Sequence, residues 1–339
     1  MDEMTADTIL KVNGSGNQLA QAAEPRLPPL LVIVGPTASG KTGLAIDLAD
    51  HLPIEIVNAD SRAFYRGMDV GTAKPGEAER QRVVHHLVDI MEPDEPMSAS
   101  LFQHLATAAI AAIHERGHIP VLVGGTPQYV NALVEGWRIP RVPPNHDRRR
   151  ELEREAETVG VAPVLARLAD IDPESAARTG PNLRRIIRAL EVFEATGVPF
   201  SQLQARDDVP FQALEFELWV PREVLYSRID ARVDQMIEDG LVDEVKSLLA
   251  NRYDPTLPAF SSIGYRQLMP AIAAGDDLDH SIERIKLDTH RLVRHQQTWF
   301  RKNGRLIRVD MTQADAFDQV VERSIAHCAS FLTRERDNG

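Results

Sequence analysis

The chain has 339 residues, and 38 Lys+Arg against 50 Asp+Glu leave it with a net charge of −12. That sign, taken alone, argues against a polyanionic partner such as nucleic acid. With 43% hydrophobic and 26% charged residues the composition excludes global disorder, and the length suggests two domains or one with a large insertion.

Residues 1–29, MDEMTADTILKVNGSGNQLAQAAEPRLPP, are acidic, polar and Gly/Gln-rich. They lack both the basic start and apolar stretch of a signal peptide and the Arg-rich face of a transit peptide, so they read as a disordered extension of a cytoplasmic protein. No run in the chain reaches the roughly 20 apolar residues of a bilayer span, so no membrane is expected as a partner. The single cysteine, Cys328, excludes an internal disulfide and a cysteine-based zinc finger.

From Leu30 to Val34 the chain is continuously apolar, which suits a buried parallel strand. Directly behind it stand Gly35, Pro36, Thr37, Ala38, Ser39, Gly40, Lys41 and Thr42, a complete G-x-x-x-x-G-K-[ST] pattern that opens a helix-like segment, Thr42–Leu52. Chance supplies this pattern in only about one chain in a hundred of this length, and the flanking strand and helix lower that further. Glycines let the backbone N–H groups turn inward, and the helix N-terminus adds positive potential. Lys41 neutralises phosphate oxygens and Thr42 can ligate Mg²⁺. The loop leaves open whether a phosphate is transferred, hydrolysed or simply departs.

A second apolar run, Ile54–Val57, ends in Asn58-Ala59-Asp60-Ser61-Arg62. Asp60 therefore lies at the carboxyl edge of the sheet, where doubly wound proteins bind ligands; it is suited to be a metal ligand, a general base or a cap on the next helix. Further on, Asp89 is a candidate second acidic group near Mg²⁺, whereas His85 and His86 read as packing or hydrogen-bonding residues. The helical stretch Leu101–Arg116 leads to a third run, Ile119–Val123, followed by Gly124-Gly125-Thr126, which permits close backbone approach and offers a hydroxyl to the same crevice. The fourth and fifth runs are Leu214–Val220 and Leu306–Val309, and between the third and fourth lies far more chain than a crossover needs. Strands alternating with helices imply an α/β fold, a P-loop type of parallel sheet flanked by helices. The excess is assigned to a helical insertion at 136–205, leaving 30–135 and 206–339 as the core. Two further helical stretches are expected at Val224–Leu249 and His280–Lys302.

Basic segments lie within the acidic total. Between Arg284 and Arg308 stand eight basic residues and one acid, Asp288. Arg291, Arg294 and Arg301 share one helical face, while Ile285, Leu292 and Trp299 form another that can pack on the core. Such a run is either a solvated face or a binding surface for a phosphate backbone. Arg184, Arg185 and Arg188 form a second cluster; Arg148–Arg150 form a third, diluted by neighbouring acids.

Taken together, GPTASGKT (35–42), NADSRAFYRGMDVGTAKP (58–75), HHLVDIMEP (85–93), PVLVGGTPQYVNALVEG (120–136), RRIIRALEVFEATG (184–197), SSIGYRQL (261–268) and THRLVRHQQTWFRK (289–302) resemble the bacterial tRNA dimethylallyltransferases, also called tRNA isopentenyltransferases. The resemblance spans about Leu30 to Arg308. It implies transfer of a dimethylallyl group from dimethylallyl diphosphate to N6 of the adenosine just 3′ of the anticodon, in tRNAs reading codons that begin with U. It also implies Mg²⁺ as cofactor and a helical insertion that grips the anticodon stem-loop.

The resemblance assigns the general base to Asp60 and the diphosphate to residues 35–42. It sets Thr126 in the active-site channel and Arg232 near the diphosphate. Contacts to tRNA are implied for Asp60, Ser61, Arg62 and Ala63; for Thr126 and Arg148; for Arg184, Arg185, Ile186, Ile187 and Arg188; for Ser261, Ser262, Ile263, Gly264, Tyr265 and Arg266; and for Arg294, His295, Gln296, Gln297, Thr298, Trp299, Phe300 and Arg301. The sequence departs from the family pattern at Pro127 and Gln128, and at the paired serines 261 and 262. It lacks the C-terminal Cys/His finger of many eukaryotic members. A monomer is expected. The alternatives are an adenylate isopentenyltransferase acting on free AMP, ADP or ATP, a P-loop kinase, and a non-catalytic RNA-binding module. The long insertion and the Arg284–Arg308 run favour tRNA, since a mononucleotide needs neither.

Overall fold

A computed structural model describes residues 27–338. The expected N-terminal extension lies outside the described residues except for its last three, and Pro29 already belongs to the first strand, β1 (Pro29–Val34). The other strands are β2 (Ile54–Asn58), β3 (His85–His86), β4 (Ile119–Gly124), β5 (Gln212–Trp219) and β6 (Ile307–Asp310). All pair in parallel, in the order β3-β2-β4-β1-β5-β6. The five apolar runs are five of the six strands. The sixth, β3, is a two-residue edge strand of histidines, too short and too polar to announce itself by hydropathy.

Both faces of the sheet are covered. Leu31 and Ile33 join a cluster with Leu44, Leu48, Val121, Phe216 and Val320, whereas Leu30, Val32 and Val34 join one with Phe64, Phe102, Ile110 and Leu122. The period-two alternation of side chains thus meets apolar partners on either side, which is why β1 reads as an unbroken apolar run. The flanking helices are α1 (Lys41–Leu48), α2 (Glu77–Arg82), α3 (Ala99–Glu115) and α4 (Pro127–Val134) on the first half of the chain.

After α4 the chain leaves the sheet and returns at an antiparallel bridge between Trp137 and Arg206. The intervening α5 (His146–Val159), α6 (Val161–Ile171), α7 (Pro173–Thr179), α8 (Leu183–Thr196) and α9 (Phe200–Leu203) enclose a core of their own, built on Leu152, Val164, Leu168, Ile186 and Leu190.

Beyond β5 come α10 (Arg222–Glu238), α11 (Leu241–Ala250), α12 (Tyr265–Ala274), α13 (Asp279–Phe300) and, after β6, α14 (Ala316–Asn338). The single helix expected over Val224–Leu249 is two, because Gly240 adopts φ +96° between them and turns the chain. The helix expected over 280–302 is α13, with nearly those bounds. Helix α14 lies beyond the stretches expected to be helical; it buries Val320, Val321 and Cys328 against the sheet.

Candidate active site

The phosphate loop leaves β1 at Gly35 and wraps back to start α1 at Lys41. Lys41 Nζ donates to the carbonyl of Pro36 at 2.8 Å. Burial of the ammonium pushes its pKa down to about 8, Arg232 pushes in the same direction, and the charge of Asp60 opposes both. Arg232 opens onto the cavity, yet the surrounding wall crowds its guanidinium enough to lower it from its ordinary value, again against Asp60. One carboxylate and two cations therefore share a single low-dielectric corner.

Asp60 is held by the turn that ends β2. Asn58 Nδ2 donates to the carbonyls of Asp60 and Leu87, and Asn58 Oδ1 accepts the Asp60 N–H. Asp60 Oδ1 accepts the N–H of Arg62 at 2.9 Å, which closes a turn and not a helix: the next helix starts only at Glu77, so the reading of Asp60 as a helix cap is corrected. The next amide, Ser61 N–H, donates to Thr126 Oγ1 at 3.1 Å. The hydroxyl expected to face the crevice thus also fixes the Asp60 turn to the end of β4.

Two cavities meet here. One, of about 450 Å³, is bounded by the phosphate loop, Thr42, Asp60, Arg228 and Arg232. The other, of about 1190 Å³, is a channel between the core and the insertion. Lys41, Asp60 and Arg232 line both. The channel wall is apolar on one side, with Ile229, Val233, Met236, Leu241 and Ile285, and basic at the insertion end, with Arg178, Arg184, Arg185 and Arg188. Among the described residues no group of three or more His, Cys, Asp or Glu could hold a metal ion. A metal here would rest on Thr42, which lines the phosphate cavity, and on the oxygens of a bound diphosphate, a donor set that suits Mg²⁺.

Other residues of the 58–75 motif serve as scaffold. Lys74, almost wholly buried, bonds the carbonyl of Tyr65 and the carboxylates of Asp69 and Asp89. Asp89 also pairs with Arg80 at 2.8 Å. Asp89, offered as a candidate second acidic group near Mg²⁺, has its oxygens committed to two cations and lines neither cavity. Burial alone would raise its pKa, but those cations hold it below the usual range. His86 bonds Glu55 and His85 bonds the Val83 carbonyl, in keeping with the hydrogen-bonding reading of both.

Sequence reasoning missed Glu244 altogether and gave Gln296 only as a tRNA contact, without its organising role. Glu244 accepts the N–H groups of Asp69 and Val70 at 2.7 and 2.8 Å, that of Gly71 at 3.2 Å, and the hydroxyl of Tyr265 at 2.6 Å. Gly71 has no room for a side chain, since a Cβ would lie 2.7 Å from the Tyr265 ring. No local signal marks Glu244, because the three amides it holds are more than 170 positions away in the chain.

Of the residues assigned to tRNA, the channel is lined by Asp60, Ser61, Arg62, Thr126, Arg184, Arg185, Arg188, Ser261, Ser262, Ile263, Gly264, Arg266, His295, Gln296 and Trp299. Ala63 is buried but borders the phosphate cavity, whereas Ile186, Ile187, Tyr265 and Phe300 are buried in apolar clusters. The side chains of these last four are core, which corrects their reading as contacts. Arg148 is bound to Glu194 and Glu151. Gln297 pairs with Arg222, Thr298 bonds back to the Arg294 carbonyl, and Arg294 donates to Tyr226; Arg301 is exposed.

Much of the basic run is also neutralised within the chain. Arg284 and Arg291 meet Asp288, which Arg266 of α12 also meets, Lys286 meets Asp234, Arg305 meets Glu135 and Glu215, and Arg308 meets Glu217. Besides the local Asp288, the acids Asp234, Glu135, Glu215 and Glu217 come from distant parts of the chain, so a local count overstates the field. Of the face expected to pack on the core, Ile285 joins one buried cluster and Trp299 packs against another, while Leu292 is exposed; all three also form channel wall.

The family model described as IPP transferase matches residues 63–303. A tRNA dimethylallyltransferase of Roseiflexus sp. (strain RS-1) is 52% identical over 291 residues, 86% of this chain and 94% of that protein. One from Thermomicrobium roseum is 46% identical, over 87% and 90% respectively. Among solved structures, the full-length tRNA isopentenylpyrophosphate transferase from Bacillus halodurans aligns with a TM-score of 0.65 and 38% identity, covering 91% of this chain and 98% of its own. A eukaryotic dimethylallyltransferase captured acting on tRNA aligns at TM-score 0.73 and 27% identity, covering 91% and 80%.

Proposed function

The chain belongs to the IPP transferase family, and from that premise we infer that it is a tRNA dimethylallyltransferase. It moves a dimethylallyl group from dimethylallyl diphosphate to N6 of the adenosine 3′ of the anticodon, in tRNAs reading codons that begin with U. The observation that carries this reading is the junction of the two cavities, where Lys41, Asp60 and Arg232 serve both a phosphate cradle and a channel wide enough for a nucleobase.

In the reaction the allylic C1–O bond breaks and its electron pair leaves with the diphosphate. The adenine N6 lone pair forms the new bond to C1, and the N6 proton passes to Asp60. N6 is a poor nucleophile because its lone pair is delocalised into the ring, so a base at this position matters. Lys41, Arg232 and the loop amides stabilise charge building on the leaving diphosphate. Thr42 would hold a Mg²⁺ ion, which would add to the neutralisation of the leaving group. The target base must be unstacked to enter the channel, which suits a single-stranded anticodon loop. Arg184 and Arg185 stand at the channel's insertion end to meet the backbone phosphates. The protein acts as a monomer in the cytoplasm, where its RNA substrate is found.

The test is incubation with unmodified tRNA, labelled dimethylallyl diphosphate and Mg²⁺, with AMP in parallel. Label in tRNA is the expected result; label in AMP alone would overturn the reading in favour of a mononucleotide substrate.

A further inference from the structure

Gln296 lies on α13 between residues that line the channel, yet it is only 7% exposed. Its Oε1 accepts the N–H of Thr37 in the phosphate loop at 3.0 Å, and its Nε2 donates to the carbonyl of Gly125 at 2.7 Å. One side chain thus joins the loop after β1 to the end of the neighbouring strand β4. It does so from the helix whose Leu292, His295 and Trp299 line the channel. The residue after Gly125 is Thr126, whose hydroxyl holds the Asp60 turn, so the link extends from α13 through β4 to the proposed base.

The fit is close. A Cβ on Gly125 would lie 2.7 Å from Gln296 Nε2, so glycine is what lets the amide reach its carbonyl. The chemistry is specific as well: a carboxamide is acceptor at one end and donor at the other, it satisfies a backbone N–H and a backbone carbonyl at once, and it adds no charge beside an anion site. A glutamate would set an acceptor-only carboxylate against the Gly125 carbonyl and repel a diphosphate. A methionine would match the length and make neither bond.

We propose that Gln296 is a positioning residue that keys the channel-lining helix α13 to the phosphate loop, so that RNA binding in the channel and anion binding on the loop strengthen one another. The inference rests on the reading of the channel as an RNA site. Because coupling between two binding sites is reciprocal, either ligand must raise the affinity of the other by the same factor.

The experiment titrates inorganic diphosphate into the full-length protein with and without an anticodon stem-loop RNA, and the RNA with and without diphosphate. Wild type is expected to show a mutual gain of at least about fivefold. In Q296M that gain falls to within about twofold, while the melting temperature drops because the Thr37 N–H and the Gly125 carbonyl lose their partner. G125A, which displaces Nε2 from the opposite side, reproduces the loss and keeps the proposal testable if Q296M folds poorly. Q296E loses the gain and also binds diphosphate more weakly without RNA. Coupling that survives in both Q296M and G125A overturns the proposal. So does a wild type without coupling, or a Q296M whose RNA affinity drops in the absence of diphosphate, which would make Gln296 a direct RNA contact. These titrations do not depend on turnover, so a wild type that couples the ligands yet transfers no label to tRNA refutes the proposed reaction and not this inference.

Discussion

Asp60 uses one carboxylate oxygen to hold the Arg62 amide and lines both cavities besides. Asparagine in its place retains an acceptor for that amide while removing the base. Asp60→Asn should therefore lower kcat by about 10²- to 10⁴-fold and leave tRNA affinity within about threefold of wild type. Single-turnover rates alongside tRNA binding check this, and near-normal turnover would remove the general-base role. The assay belongs at pH 7, because Asp60 also supports the charge on Lys41. That lysine predicts its own pH dependence. With its pKa pushed down to about 8, chiefly by burial, Lys41 is cationic below that value and loses its charge above it. With the ionisation of diphosphate itself corrected for, affinity should be flat below about pH 7 and fall as pH rises beyond 8, each binding event then taking up a proton on Lys41. A pH series of titrations decides it; affinity unchanged between pH 7 and 9.5 would exclude Lys41 as the titrating group. Lys41, Thr42 and Asp60 are legible in the sequence because strand-end position and motif spacing define their surroundings. Glu244 is not, and Gln296 is legible only as a tRNA contact, since each gains its organising role from partners on other elements.

At the scale of elements, helix α8 has two faces. Ile186, Ile187 and Leu190 bury inward in the insertion core, whereas Arg184 and Arg185 project into the channel. Replacing both arginines by alanine should weaken tRNA binding and reduce the salt slope by about one for each backbone phosphate left without its arginine. Apparent affinities from 50 to 200 mM salt measure it, and an unchanged slope would make the face merely solvated. The same double substitution should leave diphosphate binding alone, because neither arginine lines the phosphate cavity. Helix α13 shows why periodicity alone misjudges a face. Ile285, Leu292 and Trp299 have the spacing of a core stripe, but the insertion stands off from the core at this point and leaves part of the stripe as channel wall. Apolar wall and core have one signature in sequence, and only the distance to the next element tells them apart.

For the whole molecule, the end of the sheet opposite the site carries a separate polar network. Glu55, at the start of β2, accepts both Nε and Nη2 of Arg116 and bonds His86 and His118. It so ties together β2, β3, the residue after α3 and the approach to β4. Burial would raise this carboxyl, yet the Arg116 and histidine hydrogen bonds hold it at about 2. A folded-state pKa depressed below the unfolded value contributes stability that is complete above about 4.5 and lost as pH falls through 2. The shift corresponds to about 3 kcal/mol. Glu55→Gln should lower the urea midpoint at pH 7, the gap from wild type should narrow as pH falls from 4.5 towards 2, and kcat on tRNA should be unchanged. A constant gap across that range would rule out the ionised carboxylate as its source.

The sequence by itself determined the parallel α/β core, the phosphate loop, the position of Asp60 and the presence of a helical insertion, because apolar runs and glycine spacing are local consequences of strand burial and backbone curvature. The tertiary structure alone decided which charges are free. The net −12 pointed away from RNA and the basic run from Arg284 to Arg308 pointed towards it. Neither was decisive, because salt bridges to Asp234, Glu135, Glu215 and Glu217 neutralise part of that run and the arginines lining the channel come largely from the insertion. Charge pairing acts through space over a few ångströms, and no count along the chain contains that distance.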